Sequence, residues 1–79
     1  MFSGKTKPRY VVVQVGEYYF VKDMKGTVLG SLYAELSYQG VAKGWWTTQN
    51  RDKYCRETDI DKCKSVVDYL NSEEKVIYP

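Results

Sequence analysis

The chain has 79 residues, 43% apolar and 15% aromatic, with twelve Lys/Arg against ten Asp/Glu for a net charge of +2. That length leaves room for one core, and the ring content sets the chain apart from intrinsically disordered sequences, which lack the apolar surface to offset chain entropy. The near balance of charge excludes nucleic-acid binding by bulk electrostatics alone, and it is equally far from the acidic excess of a DNA mimic.

Residues 1–8 read as a flexible basic arm and 9–79 as a single domain. Lys5, Lys7 and Arg9 supply the basic character, and Pro8 fixes its own φ while pushing Lys7 towards an extended conformation. The segment "MFSGKTKPRY" lacks the apolar run of a secretory leader, and no stretch approaches the roughly 18 apolar residues of a membrane span. The expectation is a cytoplasmic protein without membrane contact.

Three strands follow. "RYVVVQV" is rich in β-branched residues and places Val11, Val13 and Val15 on one face, with Tyr10, Val12 and Gln14 on the other. Gly16-Glu17 closes a tight hairpin into "YYFVKD". "DMKG", with Asp23 first and Gly26 last, predicts a type I turn into a third strand, "TVLGSLY". The run from Ala34 to Glu57 is less periodic: "ELSYQGVAKG" fits a helical turn or a strand with a wide loop. Gly44–Gln49 is predicted as a strand, with loop beyond it or a return hairpin through "KYCRE".

From Thr58 the apolar period changes from two to 3.6. Ile60, Cys63, Val66, Val67 and Leu70 form one stripe of a helix, with Thr58 as N-cap, Asp61 as its capping partner, and Asn71 ending the helix in the left-handed conformation. "KVIYP" is long enough for a final strand or a tail packed across the sheet. The fold class is therefore α+β: a small antiparallel meander of three to four strands covered on one face by a C-terminal helix.

The residue types argue against catalysis. No histidine is present, which removes Ser-His and Cys-His pairs and any imidazole base. Two cysteines without histidine cannot complete a four-ligand zinc site from one chain. No glycine pattern matches a phosphate-binding loop, and no Asp/Asn array matches a calcium loop. Asp52, Glu57, Asp59 and Asp61 read as solvated charges or helix-dipole caps. The expectation is no enzyme activity, no cofactor and no metal. Cys55 and Cys63 read as free thiols. Their spacing alone leaves a disulfide open, and the cation of Arg56 could activate Cys55, but packing is the preferred reading of both thiols, Cys63 lying on the apolar stripe.

Binding is the remaining class. The first hypothesis is a protein-binding module, an accessory or inhibitor protein of the kind phages and mobile elements carry, which occludes or bridges a larger host complex. Its contact residues would be the aromatics of the open sheet face and the mixed segment after them: Tyr18, Phe20, Tyr33, Trp45, Trp46, Arg51, Lys53, Tyr54 and Arg56. A homodimer through the same face is a variant of this reading. The alternative is nucleic acid, with Trp45, Trp46 and Tyr54 stacking on bases and Lys43, Arg51, Lys53 and Arg56 on phosphates. Arg9 to Leu70 resembles in outline the DNA-binding modules of the AP2 and integrase N-terminal type, a three-stranded sheet followed by a helix, without a shared motif. On a strand, adjacent side chains point to opposite faces, so the two tryptophans are expected to split.

Overall fold

The computed structural model describes residues 8–72. They form β1 (Tyr10–Val15), β2 (Tyr18–Thr27), β3 (Gly30–Leu36), β4 (Ala42–Thr47), α1 (Thr48–Tyr54) and α2 (Ile60–Leu70). The strands make one antiparallel sheet in the order β1-β2-β3-β4. This is the expected α+β meander with its C-terminal helix. The predicted final segment "KVIYP" lies outside the described residues.

The register sorts side chains into two clusters. Val12 faces Val21 across β1–β2, and Trp45 faces Ala34 across β3–β4. With Cys63 and Val66 of α2 these build one core, flanked by Leu36, Val67 and Leu70. The alternate residues, Val13 opposite Phe20 and Tyr33 opposite Trp46, build the second with Cys55 and Tyr54. The sheet thus has a hydrophobic cluster on each face. The expectation of a wholly open second face is corrected: α1 packs over β3 and β4 there.

Several local predictions are also corrected. Asp23–Gly26 is not the chain reversal. β2 runs on to Thr27, the turn falls at Val28-Leu29, and β3 starts at Gly30. The left-handed φ of Gly26 (63°) serves a bulge between Asp23 and Thr27, and a Cβ at Gly26 would meet the Gly30 carbonyl oxygen at 2.9 Å. Asp23 braces the bulge: its carboxylate accepts from Arg9 Nε and Nη2 at 3.0 Å each and from the Lys25 amide at 3.0 Å. Those bonds from Arg9, against the opposing effect of burial, hold the Asp23 carboxyl below the usual range. Arg9, read as part of a basic arm, is consumed by this pair.

The predicted Gly44–Gln49 strand is displaced to Ala42–Thr47, and the predicted loop after it is helix α1. β3 and β4 join through a turn in which Ser37 Oγ accepts from the Val41 amide at 3.1 Å. Asp59, not Thr58, caps α2, its carboxylate accepting from the amides of Asp61 (3.0 Å) and Lys62 (3.3 Å). A charged cap at this position satisfies two orphan donors and complements the dipole. Asn71 ends α2 in the right-handed region (φ −84°), so the left-handed cap is corrected. Its side chain is used instead on β1, accepting from the Tyr10 amide (3.0 Å) and donating to the Tyr10 carbonyl (2.8 Å).

The passage from α1 to α2 crosses between faces. The β2–β3 pairing reaches no nearer the first hairpin than Lys22↔Tyr33, and Tyr19 pairs with Glu57 of the linker through two backbone bonds of 2.7 and 3.1 Å. That bridge fixes α1 on one face and α2 on the other.

Candidate partner-binding face

The two tryptophans split as strand geometry requires. Trp45 lies on the α2 side with its ring 5.6 Å from that of Tyr10. Tyr10 belongs to β1, three strands away, so the indole lies across the sheet, packed against the cluster that holds the fully buried Ala34. Trp46 lies on the α1 side, stacked on Tyr54 at 4.0 Å and 15°, with Nε1–H donating to Glu35 Oε1 at 2.9 Å. Neither ring is fully exposed.

All the predicted contact residues except Trp45 gather on the α1 face. Phe20 and Tyr33 are its floor, 1% and 5% exposed, and pack edge to face. They are core residues, buried beyond the reach of a partner. Above them sits Arg51, its guanidinium 4.9 Å from the Phe20 ring centre and 5.2 Å from that of Tyr33. Arg56 covers the Tyr18 ring at 4.7 Å, Lys53 lies 5.2 Å from the Tyr54 ring, and Lys22 lies 5.9 Å from that of Tyr33. Ring faces carry negative quadrupole charge, which holds cations in place while their polar ends still meet water.

The cations of this face are Lys22, Lys43, Arg51, Lys53 and Arg56; its acids are Glu35 and Asp52. Both acids are engaged, Glu35 by Trp46 and by Lys43 at 3.8 Å, and Asp52 by Arg51 at 3.2 Å. Lys22, Lys53 and Arg56 have no carboxylate partner among the described residues. Burial tends to raise the Tyr33 phenol. The neighbouring Thr48 and Arg51 side chains and the nearby charges of Lys22 and Arg51 outweigh it and lower its pKa.

The thiols take no part in surface chemistry. Cys55 is 2% exposed, with Sγ–H donating to the Tyr33 carbonyl at 3.5 Å, and Cys63 is fully buried. Burial, with Glu35 near one and Glu57 near the other, pushes both up to about 11. Cys55 is a packing residue, as expected in preference to a reactive thiol: the Arg56 guanidinium lies over Tyr18, and Cys55 faces the apolar floor. The open question of a disulfide closes too, because the two thiols belong to clusters on opposite faces of the sheet. Among the described residues no group of three or more His, Cys, Asp or Glu is placed to hold a metal ion. No helix among them is long and apolar enough to cross a membrane.

Sequence reasoning missed two surfaces. Lys22 shares the face of Tyr18 and Phe20 by the two-residue alternation of β2, and the β2–β3 register sets it beside Tyr33. On the other face an apolar groove of about 460 Å³ runs between α2 and the start of β4. Its signal was present in the aromatic and β-branched residues of the "SYQGV" turn and in Tyr69, which lies off the main helical stripe.

Fold and face together define a small α+β domain with a two-sided four-stranded sheet and a cation-lined aromatic surface. No family model matches the chain, and no match to it is found among curated proteins or solved structures.

Proposed function

We propose that the chain is a non-enzymatic protein-binding module whose α1 face docks on an acidic surface of a larger protein or complex, occluding or bridging it. The observation that carries this reading is the set of unpaired cations, Lys22, Lys53 and Arg56, held over fixed rings on a face whose own acids are already engaged. Rigid aromatic platforms with Arg and Tyr at their centre are the usual anchors of protein interfaces, and preorganised cations lose little freedom on contact. Binding is favoured over catalysis because the chain's strongest nucleophiles, its two thiols, are buried and held protonated.

A nucleic-acid ligand is the second reading, favoured by the same excess of cations. It is weaker because base stacking needs an open ring face. Tyr18, Phe20 and Tyr33 carry guanidinium groups over them, and Trp46 and Tyr54 stack on each other.

The test is charge reversal. Lys53→Glu with Arg56→Glu alters two exposed residues of the face, and Lys64→Glu alters an exposed residue of α2 as a control. Affinity capture from the native host with the unaltered chain, followed by reconstitution with the purified partner, supplies the binding measurement. The double reversal should weaken that complex more than tenfold and the control should not. Undiminished binding by the double variant refutes the face. Titration of a labelled duplex and single strand at two salt concentrations separates the second reading, which requires a steep loss of affinity with salt.

A further inference from the structure

The edges of the sheet are β1 and β4, and the two are built differently. An edge strand presents unpaired N–H and C=O groups that invite another strand, and charges, bulges and prolines normally guard it. β4 has Lys43, Gly44 and a register shift against β3 between Glu35 and Leu36. β1, "YVVVQV", has no charge, no proline and no bulge. Its composition is that of a strand with neighbours on both sides.

The backbone of β1 fixes which groups face outward, because its residues bond alternately towards β2 and towards the open edge. The Arg9 carbonyl accepts from the Met24 amide at 2.6 Å, so Val11, Val13 and Val15 are turned to β2 as well. Tyr10 is turned outward, and the Asn71 side chain takes both its amide and its carbonyl. Val12 and Gln14 are turned outward in the same way, and neither backbone has a partner there among the described residues. Apolar surface flanks this gap on both faces. Val12 and Val67 lie on the α2 side, with Ile60 at 36% exposure two turns back along the helix. Val13 and the 43% exposed Val15 lie on the other.

The end of α2 selects the occupant. The linker residue Glu57 pairs with Tyr19, whose β1 partner is Gln14, while Asn71 sits on Tyr10. Helix α2 therefore runs antiparallel to β1 and delivers the chain, at Ser72, to the first residue of the open edge. The sequence continues from there as "EEKVIYP". Val76, Ile77 and Tyr78 are strand formers, and Pro79 has no donor with which to extend a ladder. Four residues of strand span about 13 Å, enough to cover Val12 to Gln14, and Glu73-Glu74 is long enough for the step of about 4.8 Å to a neighbouring strand. We propose that segment 75–78 adds to the sheet as a fifth strand, parallel to β1 and paired with the outward groups of Val12 and Gln14. Across so short a connection the effective concentration is of about millimolar order, so the segment outcompetes a second copy of the chain for this edge. The pairing leaves the α1 face untouched and does not depend on what docks there.

Amide hydrogen exchange of the isotope-labelled full chain reads the pairing residue by residue. The Val12 and Gln14 amides should exchange at least about tenfold more slowly than in a variant with Val76→Pro and Ile77→Pro. That protection should be the same at about 50 μM and about 1 mM protein, as an intramolecular contact requires. Of two adjacent strand residues one always turns its amide to the neighbouring strand, so the double replacement removes a bond in either register. Val11 and Val13, bonded to β2, should stay protected in both chains and show that the variant is folded. In the unaltered chain, NOE cross-peaks should join residues 75–78 to Val12 and Gln14, a measurement that needs no variant. Fast exchange at Val12 and Gln14 in the unaltered chain overturns the proposal, as does protection that survives both prolines or the absence of those cross-peaks. Protection that rises with concentration would assign the edge to a second copy and overturns it equally.

Discussion

Arg51 is the residue on which the α1 face is built, and replacing it gives a quantitative test. Its side chain is 16% exposed and its guanidinium covers two rings that are otherwise sealed. A cation over a ring contributes about 0.5–1 kcal/mol when exposed and about 2 when desolvated, so two rings at this depth give about 2 kcal/mol. Removing the stem also uncovers on the order of 50 Å² of Phe20 and Tyr33, worth about 1.3 kcal/mol at about 25 cal/mol per Å². The pair with the exposed Asp52 adds little. Arg51→Ala should therefore cost about 3 kcal/mol. A domain of this size has about 4–12 kcal/mol in all. Arg51→Met keeps the apolar stem and loses the charge, and should cost about 2 kcal/mol. Urea unfolding followed by tryptophan fluorescence reads both, with an expected midpoint shift of about 3 M for alanine at a slope near 1 kcal/mol per M. A shift below about 0.5 M for Arg51→Ala would show that the guanidinium does not roof these rings.

Further outcomes follow from the same geometry. Because the Asp23 carboxyl is held below its ordinary value, its stabilising effect is intact above the unfolded-chain value of about 4 and is lost as pH falls through the folded one. Urea midpoints at pH 7, 5 and 3 should fall on the acid side, and Asp23→Asn should lower stability at pH 7 while flattening that limb; an unchanged acid slope in the variant contradicts the Arg9–Asp23 pair. With both thiols pushed up to about 11, roughly one in a thousand is ionised at pH 8, so a thiol reagent should label Cys55 and Cys63 only at the rate of unfolding. Fast labelling of either in the native protein would mean that it is not buried. Asn71→Ala removes two bonds between α2 and the edge of β1 and should cost about 1–2 kcal/mol, with faster hydrogen exchange at the Tyr10 amide. Unchanged exchange there would place the Asn71 side chain elsewhere.

Some of this organisation was legible in the sequence. The valine-rich run of β1 and the 3.6-residue stripe of α2 announce themselves by period, and the opposite orientation of Trp45 and Trp46 follows from strand geometry alone. Helix α1 does not, because "TQNRDKY" has no apolar face and two turns of helix are marginal in isolation. It is held by Tyr54 on Trp46 and Arg51 on Phe20 and Tyr33, contacts that join residues far apart in the chain. Asp23 and Gly26 carry the same chemistry for a turn and for a bulge, so local pattern cannot tell the two apart. For the candidate face, composition pointed to aromatic and cationic residue types. Only the register could show that Phe20 and Tyr33 form a floor, and that it is Trp45 and not Trp46 that belongs to the other side.

The contact face requires Trp46 and Trp45 to lie on opposite sides of the sheet, and a two-dimensional NOE spectrum tests this directly. Strong cross-peaks between the Trp46 indole and the Tyr54 ring, stacked at 4.0 Å, are expected together with weaker ones between Trp45 and Tyr10 at 5.6 Å. A one-residue slip of β4 would exchange the partners. Cross-peaks from Trp45 to Tyr54, or from Trp46 to Tyr10, would contradict the register and the face built on it.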